Sequence, residues 1–171
     1  AEPHFLDGVT ATTRHGTING SVDKTFNQPG YYTLPSTISA TLTFDLSVAG
    51  GYVLVVESET VITSTGLIKF INGNPSSAQM GNWGRIIIED GATLTIGSAS
   101  DSAASGWHGV VVPSCHDGDN NRTPKPNTKP TCFIYGKANS TLNVKAGDHY
   151  NVDAYIGLYG DNSTLNLEHL Q

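Results

Sequence analysis

Two tryptophan-led blocks set 24 residues apart constrain this chain more than any other feature. Asn82-Trp83-Gly84-Arg85-Ile86-Ile87-Ile88 is echoed by Gly106-Trp107-His108-Gly109-Val110-Val111-Val112. Each is a glycine-flanked Trp followed by three β-branched residues, which favour strand over helix. A spacing in the low twenties is what one coil of a β-solenoid consumes. The reading is therefore a stack of similar rungs, with Trp83 and Trp107 in one column.

A second motif has the same rhythm. Gly91-Ala92-Thr93-Leu94-Thr95-Ile96 resembles Ser140-Thr141-Leu142-Asn143-Val144 and Ser163-Thr164-Leu165-Asn166-Leu167. The leucines are separated by 48 and 23 residues, which reads as two coils and one coil. Ala40-Thr41-Leu42-Thr43-Phe44 reads as a divergent member. Alternation puts Leu94 and Ile96 inward and Thr93 and Thr95 outward. A lone rung cannot bury its inward side chains, so parallel stacking is required. About five to seven rungs fit the length. No capped amphipathic stretch predicts a helix.

Residues 1–35 carry weak repeat character and are expected to cap the open end of the stack, with repeats over 36–171. The opening Ala1-Glu2-Pro3 reads as the start of a processed chain. The stop just after Leu165-Asn166-Leu167 reads as a truncation or as an end that meets another surface.

Only 14% of the 171 residues are charged, and the net charge is −6. The nine basic residues form no cluster, so nucleic acid is not an expected partner. No apolar run reaches membrane-spanning length. The Gly, Ser, Thr and Asn content suits a secreted β-protein.

The segment His116 to Thr131 has three prolines and no large apolar side chain, so it is expected to be a surface insertion, bounded at 115 and 132. A Cys115–Cys132 disulfide at its base would stabilise the fold by about 3 kcal/mol in an extracellular setting. His116, Asp117, Asp119, Asn121, Arg122, Lys125 and Lys129 are the candidate binding residues, because specificity concentrates in loops on rigid scaffolds. The run from His116 to Asn121 begins as a calcium loop does. Arg122 then replaces the required Gly, and Thr128 replaces the bidentate Glu. No cofactor is expected; calcium is the one ion this pattern could hold.

β-Solenoid enzymes acting on polysaccharides need converging carboxylates. Here Glu57, Glu59, Glu89 and Asp90 look scattered, so no catalytic residues are assigned. Tyr31, Tyr32, Tyr150, Tyr155 and Tyr159 could stack on sugar rings. Tyr135 and Tyr159 occupy matching repeat positions, which favours a structural stack. Asn19, Asn121, Asn139 and Asn162 open N-glycosylation sequons.

The run Gly81 to Ile96 resembles rungs of right-handed parallel β-helices on cell-surface proteins: bacterial adhesins, autotransporter passengers and fungal wall adhesins. That resemblance implies an all-β, right-handed parallel β-helix and a non-enzymatic extracellular adhesin or recognition domain, with a carbohydrate or protein ligand and a role in virulence. The alternatives are a self-associating subunit of a filament or surface layer, and a polysaccharide lyase or glycoside hydrolase.

Overall fold

The computed structural model describes residues 5–74, 82–97, 108–116, 125, 128–145 and 150–168. Among these there is no α-helix. The strands are β1 (Arg14–Thr17), β2 (Lys24–Phe26), β3 (Gly30–Thr33), β4 (Thr37–Ile38), β5 (Thr41–Asp45), β6 (Tyr52–Val56), β7 (Glu59–Ile62) and β8 (Leu67–Ile71). They continue as β9 (Gly84–Ile88), β10 (Thr93–Ile96), β11 (His108–Val111), β12 (Cys132–Gly136), β13 (Thr141–Val144), β14 (Tyr150–Val152), β15 (Tyr155–Leu158) and β16 (Thr164–Leu167).

These strands form three parallel sheets. Sheet A runs β1-β3-β6-β9-β12-β15, sheet B runs β2-β5-β8-β11-β14, and sheet C runs β4-β7-β10-β13-β16. From β3 onward the chain visits A, C and B in fixed order, one strand per visit. Sheet A thus has six levels. The all-β, parallel architecture expected from the repeats is present.

The rhythm, however, is not the one the sequence suggests. Gly30, Tyr52, Gly84 and Cys132 lie side by side in sheet A, so successive circuits take 22, 32 and 48 residues. Phe133 then pairs with Tyr155, after 22 more. Leu94 lies directly beside Leu142, so their 48-residue separation is one circuit, not two. The run following Trp83 is β9 of sheet A, whereas the run following position 107 is β11 of sheet B. The two blocks are therefore two sides of one circuit and share no column. Trp107 itself lies outside the described residues. Thr41–Asp45 also belongs elsewhere, to sheet B, while the other Thr-Leu motifs stack in sheet C.

The inward columns explain the sequence. Ile38, Ile62, Ile96 and Val144 share one column of sheet C; Thr60, Leu94 and Leu142 share the next. All are buried. Thr60 is tolerated there because its hydroxyl donates to the Pro35 carbonyl at 2.9 Å. In sheet B, Phe26, Phe44 and Phe70 stack in register, with centroids 4.7 and 5.5 Å apart. Gly84 must be glycine, because a Cβ there would lie 2.2 Å from the Phe70 ring.

The corner from sheet A to sheet C repeats one conformation. Gly91, Asn139 and Asn162 all have φ between 57° and 74°. Glycine and asparagine are the residues that reach this region most readily. Two of the Asn-Ser-Thr sequons are therefore turn residues of stacked corners, whatever else they do. The Asn139 amide donates to the Asp161 carbonyl at 2.8 Å, tying one corner to the next.

The expected disulfide is not present: Cys115 and Cys132 are both free. Cys132 points into the core beside Gly84 and is fully buried. Cys115 packs against the same core from a 3-10 turn over Pro113–Cys115. Burial pushes the Cys115 thiol up to about 11 and the Cys132 thiol higher still. Both stay protonated at neutral pH and behave as small core residues.

Candidate functional site

The outer face of sheet A differs from an ordinary solvated face. Its outward columns are Tyr31, Val53, Arg85, Phe133 and Tyr155, then Thr33, Val55, Ile87, Tyr135 and Gly157. Most of these are apolar or aromatic, so the face needs cover. Cover comes from the N-terminal segment. Phe5 and Val9 pack onto a cluster of Val53, Ile87 and Tyr135 outside the main core.

Arg85 holds that strap down. It is only 1% exposed. Its Nε donates to the Phe5 carbonyl at 2.8 Å and its Nη2 to the Asp7 carbonyl at 3.1 Å, while Nη1 donates to the Trp83 carbonyl at 2.8 Å. Burial lowers the guanidinium to about 10, the nearby Cys132 and Asp7 opposing this, so it remains a cation at neutral pH. Thr10 and Ala11 amides both donate to the Gly50 carbonyl, fixing the strap's far end.

Beyond the strap a ladder of rings continues. Phe5 stacks on Tyr135 at 4.8 Å and meets Phe133 edge-on at 6.0 Å. Trp83 stacks on Phe133 at 5.2 Å and lies parallel to Tyr155 at 6.0 Å. Tyr135 stacks on Tyr159 at 5.8 Å, so the expected tyrosine stack exists. The matching is not by register, since Tyr135 pairs with Gly157. The Tyr159 ring folds back over Gly157, whose absent Cβ would meet it at 2.1 Å.

These rings border a cleft of about 510 Å³ lined by Phe5, Asp7, Arg85, Phe133, Tyr135, Tyr155 and Tyr159, among others. Trp83 is buried beneath, whereas Tyr155 and Tyr159 are 42% and 63% exposed. Among the described residues the site is an aromatic platform on a sheet face with one carboxylate, Asp7, on the strap. On the strap's other side lies a second cleft of about 580 Å³, lined by Arg14, Tyr31, Glu57, Glu89 and Lys137 among others. Glu57 and Glu89 follow β6 and β9 directly, so they are not scattered but level on adjacent strands. Glu89 is engaged by Lys137 at 2.7 Å, and Glu57 is exposed.

Of the sequence-predicted contact residues, Asp117, Asp119, Asn121 and Arg122 lie outside the described residues, and with them most of the calcium-like run. Lys125 and Lys129 are exposed. His116 is turned inward: its Nε2 bonds the Asp153 carboxylate at 2.7 Å, and the same oxygen accepts the Val112 amide at 2.9 Å. The insertion's first foot is thus latched to the next circuit. Its second foot, Thr131, leads straight into β12, which carries Phe133 and Tyr135. The side chain of Tyr150 lies outside the described set. Among the described residues no three His, Cys, Asp or Glu side chains cluster as a metal site would need.

Phe5, Asp7, Arg85 and Phe133 were not marked by sequence. Arg85 gave the one available signal, a charge in an otherwise apolar strand. Its partners stand 80 and 78 residues away. No protein-family model matches the chain, and comparison with curated proteins and with solved structures finds no match. No helix among the described residues is long and apolar enough to cross a membrane.

Proposed function

We propose that this chain is a right-handed parallel β-helical recognition domain, extracellular and displayed at a cell surface. It holds its ligand without turnover in the aromatic cleft of sheet A. One observation carries this reading: Tyr155 and Tyr159 expose much of their rings on a rigid sheet face, Tyr155 backed by buried Trp83 and half-buried Phe133 and Tyr159 by buried Tyr135. Large aromatics left in solvent beside a well-formed cleft are the usual mark of a binding surface. A stack of paired strands presents such a surface with little conformational entropy to lose on binding.

The test is an array of immobilised surface glycans and extracellular proteins, probed with the labelled chain and with its Tyr155→Ala/Tyr159→Ala variant. Tyrosine-dependent signals are expected on a subset of spots. Signals that the double variant reproduces would remove the cleft from consideration.

A second reading, self-association, has its own observation. Leu165 and Leu167 continue the inward columns of Leu142 and Val144 yet stand 42% and 48% exposed. Light scattering across concentration tests it, and a strict monomer counts against it.

A further inference from the structure

Resting on the extracellular part of that reading, we propose that Asn19 is an N-glycosylation site, its side-chain amide carrying an oligosaccharide taken from a lipid-linked pyrophosphate donor. Asn19-Gly20-Ser21 has the acceptor pattern. In the transfer, Nδ2 bonds to the anomeric carbon of the donor's first sugar. The bond from that carbon to the pyrophosphate oxygen breaks, and the pyrophosphate leaves with the electron pair. Nδ2 gives up one proton.

The fold presents this amide to solvent on a fixed backbone. The sequon lies in the turn between β1 and β2, the outermost strands of sheets A and B. The Gly20 carbonyl accepts the Ser39 and Ala40 amides at 2.8 and 3.0 Å, and a Cβ on Gly20 would lie 2.1 Å from the Thr37 carbonyl oxygen. Asn19 itself is exposed. Its Oδ1 accepts the Ser21 amide at 3.0 Å and the Ser21 hydroxyl at 2.8 Å. An N–H needs an oxygen there, so Nδ2 is the atom left outward. It meets no hydrogen-bond partner among the described residues. Beside it runs a groove of about 410 Å³, lined by Thr17, Val22, Lys24 and Phe26 among others, in which Val22 is 56% exposed. A sugar rooted at Asn19 has room there and an apolar side chain to lie over.

The other described sequons are placed differently. Asn139 and Asn162 follow β12 and β15 on the A-to-C corner, one level and about 4.8 Å apart, so a glycan on one crowds the other. Asn139 Nδ2 also donates to the Asp90 carboxylate at 3.5 Å. Their strands carry the aromatic cleft, whereas β1 lies four strands from β12 in sheet A, about 19 Å away. A glycan on Asn19 covers outermost strands, whose unpaired groups invite association, and leaves the cleft open.

The whole chain, sent into a eukaryotic secretory pathway behind a supplied cleavable leader, tests the proposal. Trypsin releases His15–Lys24, which holds no other sequon. From leader-cleaved chain, mass spectrometry is expected to find this peptide mostly as a glycopeptide that peptide N-glycosidase strips. Asn19→Gln and Ser21→Ala should each remove the glycan, and Ser21→Thr should keep it. Both positions are exposed, so the variants keep the fold, which circular dichroism checks. A bare His15–Lys24 peptide, or a glycan that persists on it in Ser21→Ala, would overturn the proposal. Transfer precedes export, so leader-cleaved chain held inside the cell is scored in the same way, and its failure to reach the medium counts against the extracellular reading alone. The array separates the cleft from the glycan. Tyrosine-independent capture with Asn19 occupied removes the cleft and keeps the glycan; tyrosine-dependent capture with Asn19 bare does the reverse.

Discussion

Sheets A and C share the same inward construction and carry opposite outer faces. Sheet C presents Glu59, Thr93, Thr141 and Thr164 in one outward column and Thr37, Val61, Thr95, Asn143 and Asn166 in the other. Asn166 Nδ2 donates to Asn143 Oδ1 at 2.8 Å, and Asn143 Nδ2 donates to Thr95 Oγ1 at 3.3 Å. That face satisfies itself and meets water directly. The outer face of sheet A is aromatic and apolar, and it is half roofed by a strap anchored through a buried cation. The inward columns set the fold, while the outward columns are free to become either surface or site. The sheet that departs from polar alternation is the one that gains a cleft.

Arg85→Ala should break the contrast most. Three carbonyls lose a charged donor and the strap loses its anchor, for a loss of about 3 kcal/mol in urea unfolding. An unchanged midpoint would mean that Phe5, Val9 and the Thr10 and Ala11 amides hold the strap without Arg85. Phe5→Ala should cost about 2 kcal/mol, less than a fully buried Phe because the ring is half-buried. It should also quicken proteolysis ahead of Arg14 without loosening the sheets.

Tyr52 sharpens the comparison from inside sheet A. Its hydroxyl shares its one proton between the Phe26 and Asp45 carbonyls of sheet B, and desolvation, with smaller contributions from Tyr32 and Asp45, pushes its pKa up to about 12. The folded pKa is above the unfolded value of about 10, so this contribution is intact below pH 10 and is lost as pH rises towards 12. Tyr52→Phe should cost about 1 kcal/mol at neutral pH and flatten the alkaline fall in melting temperature. An equally steep fall in the variant would place the titration elsewhere, for instance at Cys115. Smallest of all, Asn143→Ala on sheet C should cost about 0.5 kcal/mol, since the ladder is solvated and short. A larger loss would show that the polar face contributes as much as the aromatic one.

The same contrast explains what could be read in advance. The inward positions of Leu94, Leu142, Ile96 and Val144 were legible, because Thr and Asn outside them give a clean period of two. In β9 and β12 both sides are apolar, so Ile86 and Ile87 look alike although they face opposite clusters. The period misled because insertions break it: one 48-residue circuit imitates two of 24, and two sides of that circuit both follow a tryptophan. The tyrosine stack was visible as a spacing. The cleft was not, because Phe5 reaches β12 across more than a hundred residues and no local pattern encodes that contact. Cys115 and Cys132 flank a loop in sequence as disulfide partners do, yet the inward register of β12 places Cys132 in the core.

The unequal circuits also bear on how such a chain can vary. Every passage from sheet A to sheet C is short, from two residues at 57–58 to five at 159–163. The passages into β9 and β12 hold most of the additional length. For a flexible loop, stretching a circuit from 22 to 48 residues adds only about 0.7 kcal/mol of closure entropy, less than one net hydrogen bond. One corner of the stack can therefore absorb large insertions at small thermodynamic cost. The A-to-C corner, bound to its neighbours amide by amide, has no comparable freedom to lengthen.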